Sequence, residues 1–372
     1  MSEASSSKPR IILGLMTFGP DPNLGARITS LDEFGQCLDY LQSSGYSEVD
    51  TARMYLGEKQ EEFTAAVGWK ERDLSLATKV YPTKPGMHKP AKLREKFNES
   101  LVALQTDQVD IFYLHAADRS VPFAETLEEV HKLYQEGKFK RLGLSNYTSF
   151  EVAEIVILCT ERGWVRPTIY QAMYNAISEF CTSILGSDSR SIPTLTTAAN
   201  RDQSARNIET ELIPCCRRYG LEIVIYNPLA GGVLSGKYKA DAISQAPTEG
   251  RFSDKNTTGA LYRKRYMNQP ILDAVNLISP IAVKYNLTLP EIAFRWLNHH
   301  SQLRLGKDGI LIGVSSIEQL HSNIEATRKG GLPGEVVDTL DEAWMCVKAT
   351  SADYWHLDLK YTYDTEAALF KQ

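Results

Sequence analysis

Four polar side chains of this sequence could together donate a proton to an oxygen atom. They are an acid, a phenol, an amine and an imidazole, each at or just after the end of a short apolar segment: Asp50, Tyr55, Lys79 and His115. The phenol of a tyrosine has a pKa of about 10, so it is a usable donor near neutral pH where a neighbouring cation favours the phenolate. Lys79 is the candidate for that cation, Asp50 for the group that keeps Lys79 charged, and His115 for the group that orients a carbonyl oxygen. This set suits the protonation of an oxygen that gains negative charge while a hydride arrives at its carbon.

Each of these residues alone has a simpler explanation. An aspartate at the end of a strand usually caps a helix or forms a salt bridge, and a lone lysine is usually solvated. A lone tyrosine or histidine at such a position usually packs against its neighbours with its polar atom in water. The chemistry therefore depends on a fold that brings the four side chains to one place.

Alternating strand-like and helix-like segments predict such a fold. Eight short runs have the composition of strands: 11–18, 47–50, 74–80, 109–115, 139–144, 168–172, 222–226 and 309–314. Apolar residues at helical spacing follow most of them, at 31–42, 58–67, 90–104, 124–135, 149–162 and 208–219. The alternation predicts an α/β protein of the (β/α)8 TIM-barrel class, in which the carboxyl ends of the strands carry the active site. No Gly-x-Gly-x-x-Gly motif follows the first run, which argues against a Rossmann fold.

The chain is predicted to form a single barrel domain at 11–350, between a flexible leader at 1–10 and a tail at 351–372. Within the domain, 235–269 is rich in Lys, Arg, Tyr and Gly. We predict that it forms a long loop at the carboxyl-terminal face of the barrel. A second polar stretch, 178–205, has neither helical nor strand periodicity.

Composition argues against several classes of function. The 372 residues include 41 Lys and Arg against 46 Asp and Glu, a formal net charge of −5, which provides no basic surface for nucleic acid. Hydrophobic residues make up 43 %, too many for a disordered chain, and no apolar run reaches the roughly 20 residues of a membrane span. None of the six cysteines forms a Cys-x-x-Cys pair, so we expect no metal site, and a reducing, cytoplasmic location fits.

The segments 49–58, 77–79 and 114–115 resemble the catalytic tetrad segments of the aldo-keto reductase superfamily. Further segments follow in the order of the family, so that the resemblance covers nearly the whole chain: 143–147, 171–175, 226–232 and 313–323. The resemblance implies a nicotinamide cofactor, with Tyr226 stacked on its ring. The cofactor-binding residues that it implies are Asp50, Ser145, Asn146, Gln171, Tyr226, Asn227, Pro228, Leu229, Gly231, Gly313, Ser315, Ser316, Gln319 and Asn323.

The residues themselves also predict a phosphate site near the end of the barrel sequence. Ser315 or Ser316 opens a predicted helix at 317–328, and a helix N-terminus offers free N–H groups and the positive end of the helix dipole. Lys237 and Arg251 add positive charge where a 2′-phosphate could lie. These features favour NADPH/NADP+ over NADH as the cofactor.

A finer resemblance is to the aflatoxin-aldehyde and succinic-semialdehyde reductase branch. It rests on the segments 114–119, 174–177, 236–238, 250–252 and 262–266. It implies that Arg251 contacts the cofactor. It also implies that Tyr262 and Arg265, with His115, contact an acidic carbonyl substrate, and that the protein is a homodimer. The implied activity is NADPH-dependent reduction of aldehydes, and of dicarbonyls, to alcohols, without a metal, a nucleic acid or a membrane.

Two alternatives stay open at the level of sequence. Some barrels that resemble this superfamily are cofactor-binding regulatory subunits of ion channels, and the tetrad does not distinguish them from the enzymes. The other alternative is an inactive product of a faulty gene model, because the 178–205 stretch stands where the branch has about one residue. Degenerate codons permit splice-site patterns around it, so it is compatible with a translated, unspliced intron as well as with a genuine loop.

Overall fold

Eight short parallel strands close a barrel. The computed structural model describes residues 8–177, 206–238, 247, 251–253, 259–349 and 353–370. The strands are β1 (Arg10–Gly14), β2 (Glu48–Asp50), β3 (Ser75–Val80), β4 (Val109–Leu114), β5 (Phe139–Ser145), β6 (Pro167–Met173), β7 (Glu222–Tyr226) and β8 (Gly309–Gly313). Each strand pairs in parallel with the next, and β8 closes the barrel on β1, with Ile310 opposite Ile11. The predicted (β/α)8 TIM barrel is confirmed.

Helices surround the barrel and connect its strands. They are α1 (Leu31–Ser43), α2 (Gln60–Ala66), α3 (Pro90–Ala103), α4 (Phe123–Gln135), α5 (Ser149–Glu161), α6 (Asn207–Thr210), α7 (Leu212–Arg218), α8 (Gly259–Tyr266), α9 (Gln269–Lys284), α10 (Leu289–His299), α11 (Ile317–Thr327), α12 (Gly334–Lys348) and α13 (Thr365–Phe370). Local sequence sets several helix starts. The hydroxyls of Ser30 and Thr148 cap α1 and α5, and Pro90 occupies the first turn of α3.

Side-chain alternation along the strands separates the barrel interior from the outer layer. The interior holds a small apolar cluster of Ile12, Ala77, Ile111, Tyr113, Ile169 and Val224. Neighbours in sequence, such as Leu76, belong to the larger core. Lys79 lies two residues beyond Ala77 and therefore on the same face of β3. In the same way Gln171 follows Ile169 in β6, so the strand period places both polar side chains above the apolar interior.

Two elements have other bounds in the structure than the sequence predicts. The first run, predicted as a strand over 11–18, ends at Gly14. The amide of Leu15 still donates to the carbonyl of Asp50 (2.9 Å), and Phe18 bridges Ile28 instead of a strand of the barrel. The predicted helix at 208–219 is two helices, α6 and α7. Pro214 explains the break, since it has no amide hydrogen to continue the helix.

The segment 235–269 is not a loop throughout, so that prediction is wrong in part. Helix α8 lies within it, and α9 begins at its last residue. At the other end of the chain, β1 begins at Arg10, which we placed in the leader; its guanidinium pairs with Glu48 and Glu222 (2.7 Å each). The stretch 178–205 lies outside the described residues.

The described part of the chain contains neither a membrane-spanning helix nor a metal-binding cluster. None of its helices is long and apolar enough to cross a membrane. Within the same residues, no group of three or more His, Cys, Asp or Glu side chains could hold a metal ion.

Candidate active site

A cavity of about 1600 Å³ opens at the carboxyl ends of the strands. Most of the predicted site residues line it: Asp50, Tyr55, His115, Asn146, Gln171, Tyr226, Asn227, Pro228, Leu229, Gly231, Lys237, Arg251, Tyr262, Arg265, Gly313, Ser315, Gln319 and Asn323. Three others do not reach its surface. Lys79 and Ser145 are fully buried, and Ser316 serves as the N-cap of α11.

A solvent-shielded ion pair joins three strands beside the cavity. The ammonium of Lys79 donates to Asp50 Oδ1 and to the carbonyl of Thr51 (2.6 Å), and Gln171 Nε2 donates to Asp50 Oδ2 (2.9 Å). Burial raises the pKa of Asp50, an effect that Lys79 and Gln171 oppose. Burial also lowers the pKa of Lys79, an effect that Asp50 opposes. Each partner therefore stabilises the charged form of the other.

The phenol of Tyr55 lies near both Lys79 and His115. Lys79 Nζ is 5.3 Å from the centroid of the Tyr55 ring, and the ring of His115 meets it edge-on at 6.1 Å. Burial raises the pKa of Tyr55 well above its ordinary value, and the carboxylate of Asp50 raises it further. Burial, and then Lys79, lowers the pKa of His115 well below its ordinary value. We predicted that Lys79 lowers the pKa of Tyr55, but the pKa is raised, and the cation that opposes the rise is Arg251. The site therefore presents a protonated phenol and a neutral imidazole.

Asn146 connects β4, β5 and β7 at the cavity. Its φ of 59° is a left-handed conformation that asparagine tolerates better than most residues. The side-chain amide donates to the carbonyl of His115 (2.8 Å) and to Ser145 Oγ (3.0 Å). The hydroxyl of Tyr226 in turn donates to Asn146 Oδ1 (2.7 Å). The network thus fixes the side chain of Tyr226, which the resemblance to the superfamily implies to stack on a nicotinamide.

The start of α11 offers a place for a phosphate group. Ser315 and Gln319 line the cavity, and the amide of Ser315 donates to Gln319 Oε1 (2.9 Å). The first turn of a helix carries backbone N–H groups without helical partners and the positive end of the dipole. Lys237 and Arg251 line the same cavity. These residues fit the phosphate groups of the dinucleotide that the sequence predicts.

A cationic cluster surrounds Tyr262. Arg251 Nη1 donates to the Tyr262 hydroxyl (3.2 Å), and the guanidinium carbons of Arg251 and Arg265 lie 4.9 and 5.9 Å from the centroid of its ring. Burial alone would raise the pKa of Tyr262, but the two cations outweigh burial and lower it. Arg265 is only 6 % exposed although it lines the cavity. A buried cation at a cavity favours a ligand with negative charge.

Sequence analysis missed one wall of the cavity, which the predicted tail provides. The lining residues from this segment are Asp353, Trp355, His356, Leu357, Asp358 and Leu359. Tyr81, just after β3, was also missed; its ring meets that of His115 edge-on at 5.3 Å. The aromatic run at 354–356 was the available signal, because disordered tails are poor in aromatic residues.

Comparison with known proteins identifies the family to which this arrangement belongs. The profile of the Aldo/keto reductase family matches residues 10–345, which is most of the chain. This chain belongs to the aldo/keto reductase family. The predicted resemblance is thereby confirmed, and carbonyl reduction by an oxidoreductase is the chemistry that the family supports.

Individual relatives of this aldo-keto reductase agree. It is 41 % identical to an aldo-keto reductase of Pseudocercospora fijiensis over 86 % of this chain and 99 % of the relative. It is 37 % identical to aflatoxin B1 aldehyde reductase member 2 of Mus musculus, over 94 % of this chain and 88 % of the relative. It is also 35 % identical to aldo-keto reductase family 7 member A3 of Homo sapiens, over 95 % and 99 % of the two chains.

Proposed function

We propose that this aldo-keto reductase reduces aldehydes, and dicarbonyls, to alcohols with NADPH. The observation that carries the proposal is the buried pair of Asp50 and Lys79 beside Tyr55 and His115. A protonated phenol and a neutral imidazole at one site suit the protonation and orientation of a carbonyl oxygen. The name of the mouse relative, an aflatoxin B1 aldehyde reductase, supports an aldehyde as the substrate.

The contacts of the tetrad residues support a separate role for each in this proposal. Tyr55 donates its phenolic proton to the carbonyl oxygen as that oxygen gains negative charge. Lys79 then stabilises the phenolate that remains, because a nearby cation favours the charged form. Asp50 holds Lys79 in place and charged. His115 orients the carbonyl oxygen by a hydrogen bond from its ring.

The remaining cavity residues would hold the cofactor. NADPH, when bound, supplies the hydride that reaches the carbonyl carbon. Tyr226 would lie against the nicotinamide ring, and Asn146 would bind its carboxamide. Ser145, which does not reach the cavity, accepts a hydrogen bond from the Asn146 amide and so supports its orientation. The amides at the start of α11 would bind phosphate, and Lys237 and Arg251 favour the cofactor with the additional 2′-phosphate.

The buried cation of Arg265 supports an acidic substrate. A carboxylate on the aldehyde would pair with its guanidinium and accept a hydrogen bond from Tyr262. The homodimer and the cytoplasmic location stay predictions from sequence.

The test of the proposed function is NADPH oxidation by the purified chain. The substrate panel contains succinic semialdehyde, 2-carboxybenzaldehyde and 9,10-phenanthrenequinone, and turnover is the expected result. The same assay is run on a shortened variant in which 178–205 is replaced by one threonine. Turnover by the shortened variant alone would mark 178–205 as a gene-model artefact. Inactivity of both, with NADPH still bound, would contradict the proposal and favour the regulatory alternative.

The pH dependence of kcat/KM should follow the perturbed groups of the site. His115 has a pKa well below its ordinary value, so it stays neutral and no acidic limb is expected between about pH 6 and about pH 8. Lys79 has a lowered pKa, so its charge is lost at a lower pH than that of a free lysine, and activity should fall on the basic side. Steady-state kinetics from about pH 6 to about pH 10 test both expectations. An acidic limb near pH 6.5 that disappears in His115→Gln would contradict the neutral imidazole.

Arg251→Ala should weaken the binding of NADPH much more than that of NADH. The lost cation faces the 2′-phosphate in our proposal, and one charged hydrogen bond of this kind corresponds to about a tenfold increase in Kd. NADH lacks that phosphate and serves as the control ligand for the same variant. Fluorescence titration with both cofactors measures the two constants. An equal loss of affinity for NADH would assign Arg251 to another part of the cofactor.

A further inference from the structure

The residues 353–362, here named the C-terminal wall, close one side of the cavity. Trp355, Leu357 and Leu359 give this side an apolar surface. Since α12 ends at Lys348, the wall belongs neither to a strand nor to a barrel helix. Its position must therefore come from side-chain and backbone contacts with the barrel.

Arg119, in the loop after β4, makes the central contact. Its side chain is buried, and Nε and Nη2 donate to the two carboxylate oxygens of Glu151 (2.7 and 2.9 Å). The remaining nitrogen, Nη1, donates to the carbonyl of His356 (2.8 Å) and lies 3.4 and 3.3 Å from the carbonyls of Leu357 and Asp358. A guanidinium can do this because its five N–H groups lie in a planar fork, whereas an ammonium is a single point of charge.

Glu151 ties the same wall to the first turn of α5. The hydroxyl of Tyr361 donates to Glu151 Oε1 (2.7 Å), and the amide of Thr148 donates to Oε2 (2.8 Å) as part of the helix capping box. Near the start of the wall, the hydroxyl of Tyr354 accepts the amide hydrogen of Ser149 (2.9 Å). Both ends of the wall are thus attached to the same helix terminus.

The wall in turn touches the residues that face the reaction. The amide of His356 donates to the carbonyl of Asn146 (3.1 Å), and its Nε2 lies 3.4 Å from the hydroxyl of Tyr226. The next residue, Leu357, has a φ of 63°, a left-handed conformation that a leucine adopts only where surrounding contacts impose it. A change in the anchoring of the wall is therefore transmitted directly to the cavity.

We infer that Arg119 is a positioning residue: it holds the C-terminal wall against the catalytic pocket, and through the wall it sets the affinity for the carbonyl substrate. The inference rests on the proposed reductase function for its kinetic part. The wall presents apolar side chains to a cavity that also contains the buried cation of Arg265.

Arg119→Lys is the decisive variant. Lysine keeps the charge that Glu151 needs but cannot bind a carboxylate and the wall carbonyls together, so the fold should persist while the wall loosens. For 2-carboxybenzaldehyde we expect KM to rise about tenfold, with kcat within about threefold of wild type and Kd for NADPH within about threefold. Arg94→Lys is the matched control, because Arg94 binds two carboxylates, those of Glu129 and Glu136, outside the cavity.

Amide hydrogen exchange gives a readout that does not depend on turnover. The amides of His356 and Thr362 donate to Asn146 and to the backbone carbonyl of Arg119, so both should exchange faster in Arg119→Lys and not in Arg94→Lys. Unchanged exchange would overturn the anchoring role. Faster exchange with an unchanged KM would overturn the role of the wall in substrate affinity. Absence of turnover in the wild type would instead contradict the proposed reductase function, while exchange would still test the anchor.

A paired variant keeps the inference testable if Arg119→Lys unfolds. Arg119→Met with Glu151→Gln removes both buried charges together, so neither is left without its partner. The amide oxygen that this change introduces at position 151 can still accept the amide hydrogen of Thr148 at the start of α5. The same rise in KM and the same faster exchange are expected. A paired variant with wild-type KM and exchange would overturn the inference.

Discussion

Tyr55→Phe is expected to lower kcat about 10³-fold while Kd for NADPH stays within about twofold of the wild-type value. The substitution removes the hydroxyl that carries the donated proton. It keeps the aromatic ring near Lys79 and His115, so the shape of the cavity is retained. Steady-state kinetics and a fluorescence titration with NADPH measure the two quantities.

Tyr113→Phe is the matched control for this prediction. Tyr113 is also a buried tyrosine near Lys79, with Nζ of the lysine 5.8 Å from its ring centroid, but it belongs to the barrel interior and does not line the cavity. Removal of its hydroxyl should leave kcat nearly unchanged. Similar losses in the two variants, or near-normal turnover in Tyr55→Phe, would contradict the role of Tyr55 as proton donor.

The barrel and the grouping of the tetrad could be predicted because both follow from local patterns. A strand alternates its faces every two residues, so Lys79 had to share a face with Ala77. The parallel order of the strands then brought Lys79 to Asp50 on the neighbouring strand, where the two form an ion pair. Strand β7 was predicted with the bounds that the structure has, Glu222–Tyr226.

The C-terminal wall could not be predicted in the same way. The contact that fixes it joins Arg119 to His356, which are 237 residues apart, and no periodic pattern records such a contact. Ser316 illustrates a different difficulty: a serine before a helix can bind a ligand or cap the helix, and here it caps α11. The protonation of Tyr55 depends on burial in the assembled site, which the order of the residues does not reveal.

Lys79→Met is expected to reduce both stability and activity. The substitution leaves the carboxylate of Asp50 buried beside Gln171 without its cation, and breaking a buried pair in this way typically costs about 3–5 kcal/mol of unfolding free energy. Burial already raises the pKa of Asp50, so without Lys79 that pKa should rise further. Denaturant titration measures the loss of stability. Steady-state kinetics measure the loss of activity, which should be about 10²-fold or more in kcat.

Asp50→Asn combined with Lys79→Met separates these two effects. The paired variant contains neither charge, and the amide oxygen introduced at position 50 can still accept the hydrogen bond from Gln171, so most of the lost unfolding free energy should return. Turnover should not return, because no cation remains to stabilise the phenolate of Tyr55 after proton transfer. Recovery of kcat together with stability would mean that the ion pair serves only as structural support. Recovery of stability without recovery of kcat would assign Lys79 a direct part in the proton transfer. Both variants lack the ammonium of Lys79, and they differ only in whether position 50 carries a carboxylate.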